Sequence, residues 1–403
     1  MMTKRSPLER LAATHPECEI WWDSSPLIFE NWSKQALTEE PLARRDLVGT
    51  WHERYYSPSE PGKQLFRGAN VDLSRSWAAV QEENWFWREW VIEEKRRDPR
   101  ANVHGIWWRL HLEVLRRSAE RYLGVFHRSG FRFGYLSAQV DPRDGGNERK
   151  LERQAAEIAS AASNLIAAVP ATAQGLRAIS RLTARGISTN ATLCFTLRQF
   201  AAVADAVKEG LEKARSKRVD LSTWRSVVTA SLSDYEDQIE FEKEGAKIGI
   251  RLTEAQRCWA SIAILKRAVR LLREKNFPGK LMVSSIRAEP VIEGRKRLWH
   301  LEKIAGTDVI YACPAWLIQE VHAIGEELDF VPAAWQEPVP EDILEELKQF
   351  AYFRKAYELR GPSTADLGSH PALRSATADY CRRAEEMERF VAEAIAERPS
   401  GRQ

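Results

Sequence analysis

Two periods of hydrophobic patterning alternate along this chain. Short runs of consecutive apolar or β-branched residues are separated by stretches whose apolar residues recur every three or four positions. The most compact run is Leu165-Ile-Ala-Ala-Val169, bounded by Asn164 and Pro170. Such a run predicts a strand covered on both faces, as in a parallel sheet. A helix is expected from about Gln174 to Arg185, closing at Gly186, a common C-terminal stop. Upstream lie a strand over Phe131–Val140 and a helix over Asn147–Ala162, on which Leu151, Ala155, Ile158 and Ala162 share one face. Downstream come a strand over Ile187–Ala191 and a helix capped by Thr196 that carries Phe200, Val203, Val207 and Leu211. A strand over Ser226–Leu232, a long helix over Thr253–Lys275, and strands over Gly279–Arg287 and Thr307–Cys313 follow. Glu19–Asp23 and Gln64–Ser74 read as two earlier strands. Strict alternation of strand and helix calls for parallel βα units, and the set describes an α/β fold, a (β/α)8 TIM barrel.

Composition narrows the picture. The 403 residues fit one barrel with insertions, expected over 1–397, with 398–403 a disordered tail. Of the 15 tryptophans, 10 fall within the first 108 residues. They concentrate in a helical insertion at about 75–130, conspicuously Trp85, Trp87, Trp90, Trp107 and Trp108. Aromatic packing on the outside of the barrel or a wall beside the pocket would each account for them. From Pro338 the chain reads as helical, and 361–371 as a Gly/Ser/Pro loop. The net charge of +3 gives no reason to expect a nucleic-acid partner. The absence of a long uncharged apolar stretch and of an apolar leader at the N-terminus argues against membrane insertion and secretion. The 5 cysteines form no CxxC pair, which points to reduced thiols in a cytoplasm.

Three segments carry a sharper signal: Gly134-Tyr-Leu-Ser-Ala-Gln-Val-Asp-Pro-Arg143, Asn164-Leu-Ile-Ala-Ala-Val-Pro-Ala-Thr172 and Gly186-Ile-Ser-Thr-Asn-Ala-Thr-Leu-Cys-Phe-Thr196. In order and spacing they resemble three consecutive strands of the transaldolases, GYVSxEVxPR, NLxIKIPAT and GIxxNxTLxFS. Glu19-Ile-Trp-Trp-Asp23 resembles the first strand of the longer bacterial members. Gly279–Arg287 resembles their seventh, and 64–74 is a weaker match to their second. The resemblance covers about residues 19–355. It implies the barrel already read from the periodicity, and a covalent mechanism. In that mechanism a lysine forms an imine with a ketose, a carboxylate takes the proton that triggers carbon–carbon cleavage, and a glutamate-held water helps make and break the imine.

Carried across position by position, the resemblance assigns the cleavage carboxylate to Asp23. Asn190 and Thr192 would position substrate and water, Ser231 would match the substrate-binding serine at the end of the sixth strand, and Ser285 and Arg287 would hold a sugar phosphate. Asp72 falls on the family's second-strand asparagine; a plain helix cap is the competing reading. The departures matter more. The Schiff-base lysine position holds Ala168. Gln139 stands for the water-holding glutamate and cannot transfer a proton near neutrality. Glu236 stands where a second phosphate arginine is expected, which would invert the charge there. Losing the amine and its acid together points to abandonment of the imine step as a unit.

The expectation is therefore a diverged barrel enzyme doing non-covalent acid–base chemistry (condensation, cyclisation or elimination) on a sugar phosphate, a polyol or another carbonyl compound. No cofactor is expected, and no metal, since no ligand spacing supports one. Two alternatives stay open: a catalytically inactive barrel that binds a ligand or partner, and an aldolase with a relocated lysine. Lys280 at a strand start and Lys247 in a helix are poor candidates for that role. His104, His111, His127, His300 and His322 read as packing or surface residues without a partner acid at a strand end.

Overall fold

The computed structural model describes residues 4–359 and 364–396. The strands are β1 (Glu19–Trp22), β2 (Phe66–Val71), β3 (Tyr135–Gln139), β4 (Leu165–Pro170), β5 (Thr189–Cys194), β6 (Ser226–Ser231) and β7 (Lys280–Ser284). A small hairpin, β8 (Val291–Ile292) and β9 (Arg295–Lys296), precedes β10 (Val309–Cys313). Apart from the hairpin, the strands close into an eight-stranded barrel in chain order, with β10 pairing β1 and β7. Every pair is parallel, so the patterning is confirmed as a (β/α)8 barrel.

Alternate residues face inward along each strand, and they change character with height. The lower layer is an apolar plug of Trp21, Tyr135, Ile166, Val227, Met282 and Ile310. Gly68 makes room for it, since a Cβ there would lie 2.5 Å from the Trp21 ring. The upper layer is polar and includes Asp23, Asn70, Gln139, Asn190, Thr229 and Ser284. It stands at the C-terminal mouth, where barrel enzymes carry their sites.

Several helices begin as the sequence predicts, on caps whose side chains accept the orphan N–H groups: Asn147, Thr172, Thr196 and Thr253. Strand boundaries differ in informative ways. β3 starts at Tyr135, not Phe131, because Phe131 turns at φ +66° to end the preceding helix. β5 runs on to Cys194 through a bulge at Leu193, which adopts φ +59°. β7 stops at Ser284, because Ser285 turns away at φ +50° and leaves Arg287 in a loop.

The Trp-rich segment does not plug the barrel. Trp87 and Trp107 pack in a cluster with Met387, Phe390 and Val391 of the helix Pro371–Ala396. They seat that last helix, which runs across the mouth and lines its cavities with Leu373, Thr377 and Tyr380. Pro371 opens this helix, so the loop expected over 361–371 ends one residue earlier; residues 361–363 of that expectation, and the expected tail, lie outside the described residues.

Candidate active site

The register fixes the centre of the site. Gln139 on β3 pairs with Ala168 on β4, and Ala168 with Asn190 on β5. All three point into the barrel at one height. Ala168 lies at the floor of a cavity of about 420 Å³ that extends to Thr192, Leu193 and the overlying helix at Leu373, Thr377 and Tyr380. Successive residues Thr192 and Leu193 both line it because the Leu193 bulge breaks the alternation, a common device beside sites.

A second cavity, of about 370 Å³, shares Tyr380 with the first and is lined by Asp23, Asp72, Arg75, Asp234 and Ser285. Asp23, 4 % exposed, follows β1 and accepts from Asn70 Nδ2 at 2.8 Å and from Arg75 Nη2 at 3.0 Å. Arg75 also donates through Nε to the Asp23 carbonyl at 3.1 Å. Asp23 beside it pushes the Arg75 guanidinium further up, against the cost of burial. Asp72 caps the helix Leu73–Glu82, accepting from the Arg75 N–H at 2.9 Å. Cap and mouth residue are thus one and the same side chain. Burial raises the Asp72 carboxyl above its ordinary range, Arg75 opposes the shift, and the charge of Asp23 adds to it.

The remaining predicted residues divide. Asn190, the second residue of β5, is level with Ala168 but fully buried beneath the mouth. Its Nδ2 donates to Ser137 Oγ at 2.9 Å and its Oδ1 accepts from Thr229 Oγ1 at 2.8 Å. Gln139 Oε1 accepts from the Leu73 N–H at 3.0 Å, tying β3 to the start of that helix. Ser231 and Ser284 share a hydrogen bond of 3.2 Å, and Ser285 Oγ donates to Asp234 Oδ2 at 3.0 Å. Arg287 lines a third cavity, of about 590 Å³, with Ser285, Lys296 and Trp316. Its guanidinium is bonded to Asp237, and Glu289 lies 3.6 Å away. Arg287 and Asn190 therefore do not converge on one cavity.

Glu236 corrects the expectation of a substrate-facing position. The short helix Leu232–Glu236 turns its side chain away from the mouth into the layer behind the barrel, where it is 2 % exposed. There Ser261 Oγ donates to Glu236 Oε1, and His300 Nε2 lies 2.7 Å from the same oxygen. His300 is thus a packing residue that has a partner acid after all. Cys258 Sγ completes a buried group whose ligand atoms lie within 4.8 Å of one another. Carboxylate, imidazole and thiol are a credible zinc set by type, yet the hydrogen bonds speak against it. His300 Nδ1 accepts the Arg287 N–H at 3.1 Å, so Nε2 must carry the ring proton and has no lone pair to offer. Burial, with Glu236 adding to it, also pushes the Cys258 thiol up and away from thiolate.

His104, His111, His127 and His322 lie in helices. His104 is 3.3 Å from Glu388. His111, pushed down to about 4 by burial, donates Nε2–H to the Gln139 carbonyl at 2.9 Å. Among the described residues no lysine lines the first two cavities. Lys296 lines the third, which also reaches Asp23, and its Nζ is paired with Glu320 at 2.9 Å. Lys280 Nζ is bonded to the Glu17 carbonyl at the opposite end of the barrel, and Lys247 is exposed on a helix. Lys266 is lowered to about 8 by burial. It sits on the outer helix Glu254–Glu274 and donates to the carbonyls of Ala334 and Glu337 at 2.9 and 2.8 Å. Arg75 and Tyr380 are mouth residues that the sequence reading did not single out. Arg75, three residues past a cap, was the more findable; Tyr380 reaches the site from a distant helix and left no local trace.

Comparison with known proteins agrees with this architecture. Residues 88–356 match the family model for transaldolase/fructose-6-phosphate aldolase. A transaldolase of Mycolicibacterium paratuberculosis is 36 % identical over 158 residues, 39 % of this chain and 42 % of the relative. Transaldolase 2 of Streptomyces coelicolor is 33 % identical over 162 residues, 40 % of this chain and 43 % of that protein. A transaldolase of Mycolicibacterium smegmatis is 39 % identical over 132 residues, 32 % of this chain and 35 % of that protein. The chain spans about two-fifths of the length of the first two of these relatives. With the family match covering well over half of its residues, the chain belongs to the transaldolase/fructose-6-phosphate aldolase family.

Proposed function

We propose that this barrel acts on a carbonyl or hydroxyl compound by acid–base chemistry and forms no imine. The observation that carries the reading is Ala168, in register with Gln139 and Asn190 at the floor of the cavity, where the resemblance places the amine. An imine needs an amine to attack and an acid to expel water. Alanine and glutamine supply neither. Four carboxyls line the neighbouring cavity, Asp23, Asp72, Asp234 and Asp379, and the two that share Arg75 differ in their surroundings. Asp23 is ion-paired to Arg75 and suits a general base. Asp72, raised by burial, holds its proton longer and suits a general acid. Arg75 between them would steady the negative charge that develops on a substrate oxygen. Sugar phosphates, polyols and other carbonyl compounds all fall within this chemistry, as does a biosynthetic role in the cytoplasm.

The test is exchange of the proton next to a carbonyl. In deuterated buffer, a panel of α-hydroxy ketones is followed by NMR with and without the protein. At least one should lose its α-proton signal faster with protein, and Asp23→Asn should slow that exchange by 100-fold or more. Exchange that persists in Asp23→Asn, or a borohydride-trapped adduct on any lysine, would refute the reading. The alternative, a barrel that binds without turnover, draws on the internal bonding of Asn190 and Arg287, and predicts no exchange with any ketone.

A further inference from the structure

The polar side chains that a sugar phosphate would use are largely consumed within the protein. Asn190 is bonded at both ends of its amide, Ser285 to Asp234, Arg287 to Asp237, and Glu236 faces away. The cavity over Ala168 is of another kind. Its walls are mostly hydrocarbon: Val140, Pro142, Pro170, Leu193, Leu373 and Ala378. Truncation of a long amine to a methyl group at its floor leaves apolar space rather than a polar socket. At about 420 Å³ it lies within the range of small-molecule sites.

Its polar groups are few and sit at two ends. Near the floor, the Gln139 amide nitrogen and the Thr192 hydroxyl have no protein partner among the described residues, and each can bind a single oxygen. Two arginines line the cavity. Arg143 is bonded to Asp141 and Glu388 and is thereby neutralised. Arg374 is exposed and carries no ion pair or side-chain hydrogen bond among the described residues. Among the described residues the cavity thus ends in one positive charge without an ion pair.

We infer that the substrate or ligand of this site is an apolar ring or chain compound with one oxygen function at the floor and a carboxylate, or an anion of similar geometry, at Arg374. It is not a phosphorylated polyol. Apolar surface leaving water supplies affinity in proportion to area. Arg374 supplies orientation, since guanidinium matches a carboxylate bidentately. A polyhydroxylated chain would instead lose water from hydroxyls that the hydrocarbon walls cannot bond. This inference narrows the substrate of the acid–base reading and rests on that reading for turnover, but not for binding.

The test is calorimetric titration of the full chain with three probes: 2-naphthoate, 2-naphthol and sorbitol 6-phosphate. Naphthoate should bind at one site, at least tenfold more tightly than sorbitol 6-phosphate. Arg374→Ala should weaken naphthoate about tenfold and leave naphthol unchanged. Ala168→Phe fills the floor and should abolish naphthoate binding. Because a ring inside a barrel can prevent folding, Ala378→Trp on the roof helix is the second variant, and should weaken naphthoate at least tenfold with the far-UV spectrum unchanged. Tighter binding of sorbitol 6-phosphate, or naphthoate binding indifferent to both Ala378→Trp and Arg374→Ala, would overturn the inference. Neither result touches the acid–base reading, which is decided by α-proton exchange in Asp23→Asn.

Discussion

Arg75 Nη2 lies 3.0 Å from Asp23 Oδ2, and the same guanidinium donates through Nε to the Asp23 carbonyl. One side chain from the helix after β2 therefore grips both the carboxylate and the backbone at the end of β1. Asp23 is nearly buried, while Arg75 keeps about a third of its side chain in solvent. Removing the arginine leaves a carboxylate in a poor solvent. Arg75→Ala should cost about 2–3 kcal/mol, less than a fully buried pair would because solvent reaches one partner. Arg75→Lys should cost less than half of that. Urea midpoints of the three proteins decide it, and equal stability of Arg75→Ala and the parent would show the pair to be idle.

The absence of an amine at position 168 has a direct readout. Incubation with fructose 6-phosphate or dihydroxyacetone followed by borohydride should leave the intact mass unchanged. Ala168→Lys alone should trap ketose slowly, and addition of Gln139→Glu should speed trapping by more than the product of the separate effects. Any reduced adduct on the unaltered protein would identify a working lysine elsewhere.

Asp72 predicts a pH dependence. Its carboxyl is raised in the folded protein by burial. A raised carboxyl favours folding while protonated, so its contribution is complete at acid pH and fades as pH climbs through the folded value. Asn caps a helix about as well as Asp, but does not titrate. Asp72→Asn should therefore gain on the parent protein as pH rises from 4 to 7. A stability difference that stays flat over that range, or changes the other way, would contradict the assigned burial.

The Glu236 group predicts both a loss and an absence. Glu236→Ala orphans the His300 N–H in the core, while the Ser261 hydroxyl keeps the Cys258 carbonyl at 3.1 Å, and the cost should be about 1–3 kcal/mol. Glu236→Gln keeps an acceptor for both and should cost less. Because His300 Nδ1 is occupied by the Arg287 N–H, added Zn²⁺ should leave the Tm unchanged. A metal-dependent rise in Tm, lost in Cys258→Ser, would show that the imidazole can turn.

The barrel was legible because burial on both faces writes itself into consecutive residues: Leu165–Val169 could hardly be read otherwise. The register of Gln139, Ala168 and Asn190 followed from motif spacing. What escaped had no local signature. A strand pattern continues through Ser285 and Arg287, yet a positive φ at Ser285 ends β7. Glu236 sits within a motif, but a five-residue helix turns it toward the core. Asp72 is both a cap and a mouth residue, so neither reading alone described it. Tyr380 joins the mouth from a helix more than 140 residues beyond β6, and no spacing rule spans that distance.

The last helix carries a consequence for the order in which the site comes into being. Its seat is built from Trp87 and Trp107, which leave the ribosome early, whereas the helix Pro371–Ala396 leaves late. β1 likewise waits for β10 before the barrel can close. Pairings of such long sequence separation are slow to form, since the intervening chain must be ordered first. A nascent chain interrupted before Pro371 would have every barrel strand and no roof over Ala168. The cavity is therefore completed only after every strand of the barrel has been made.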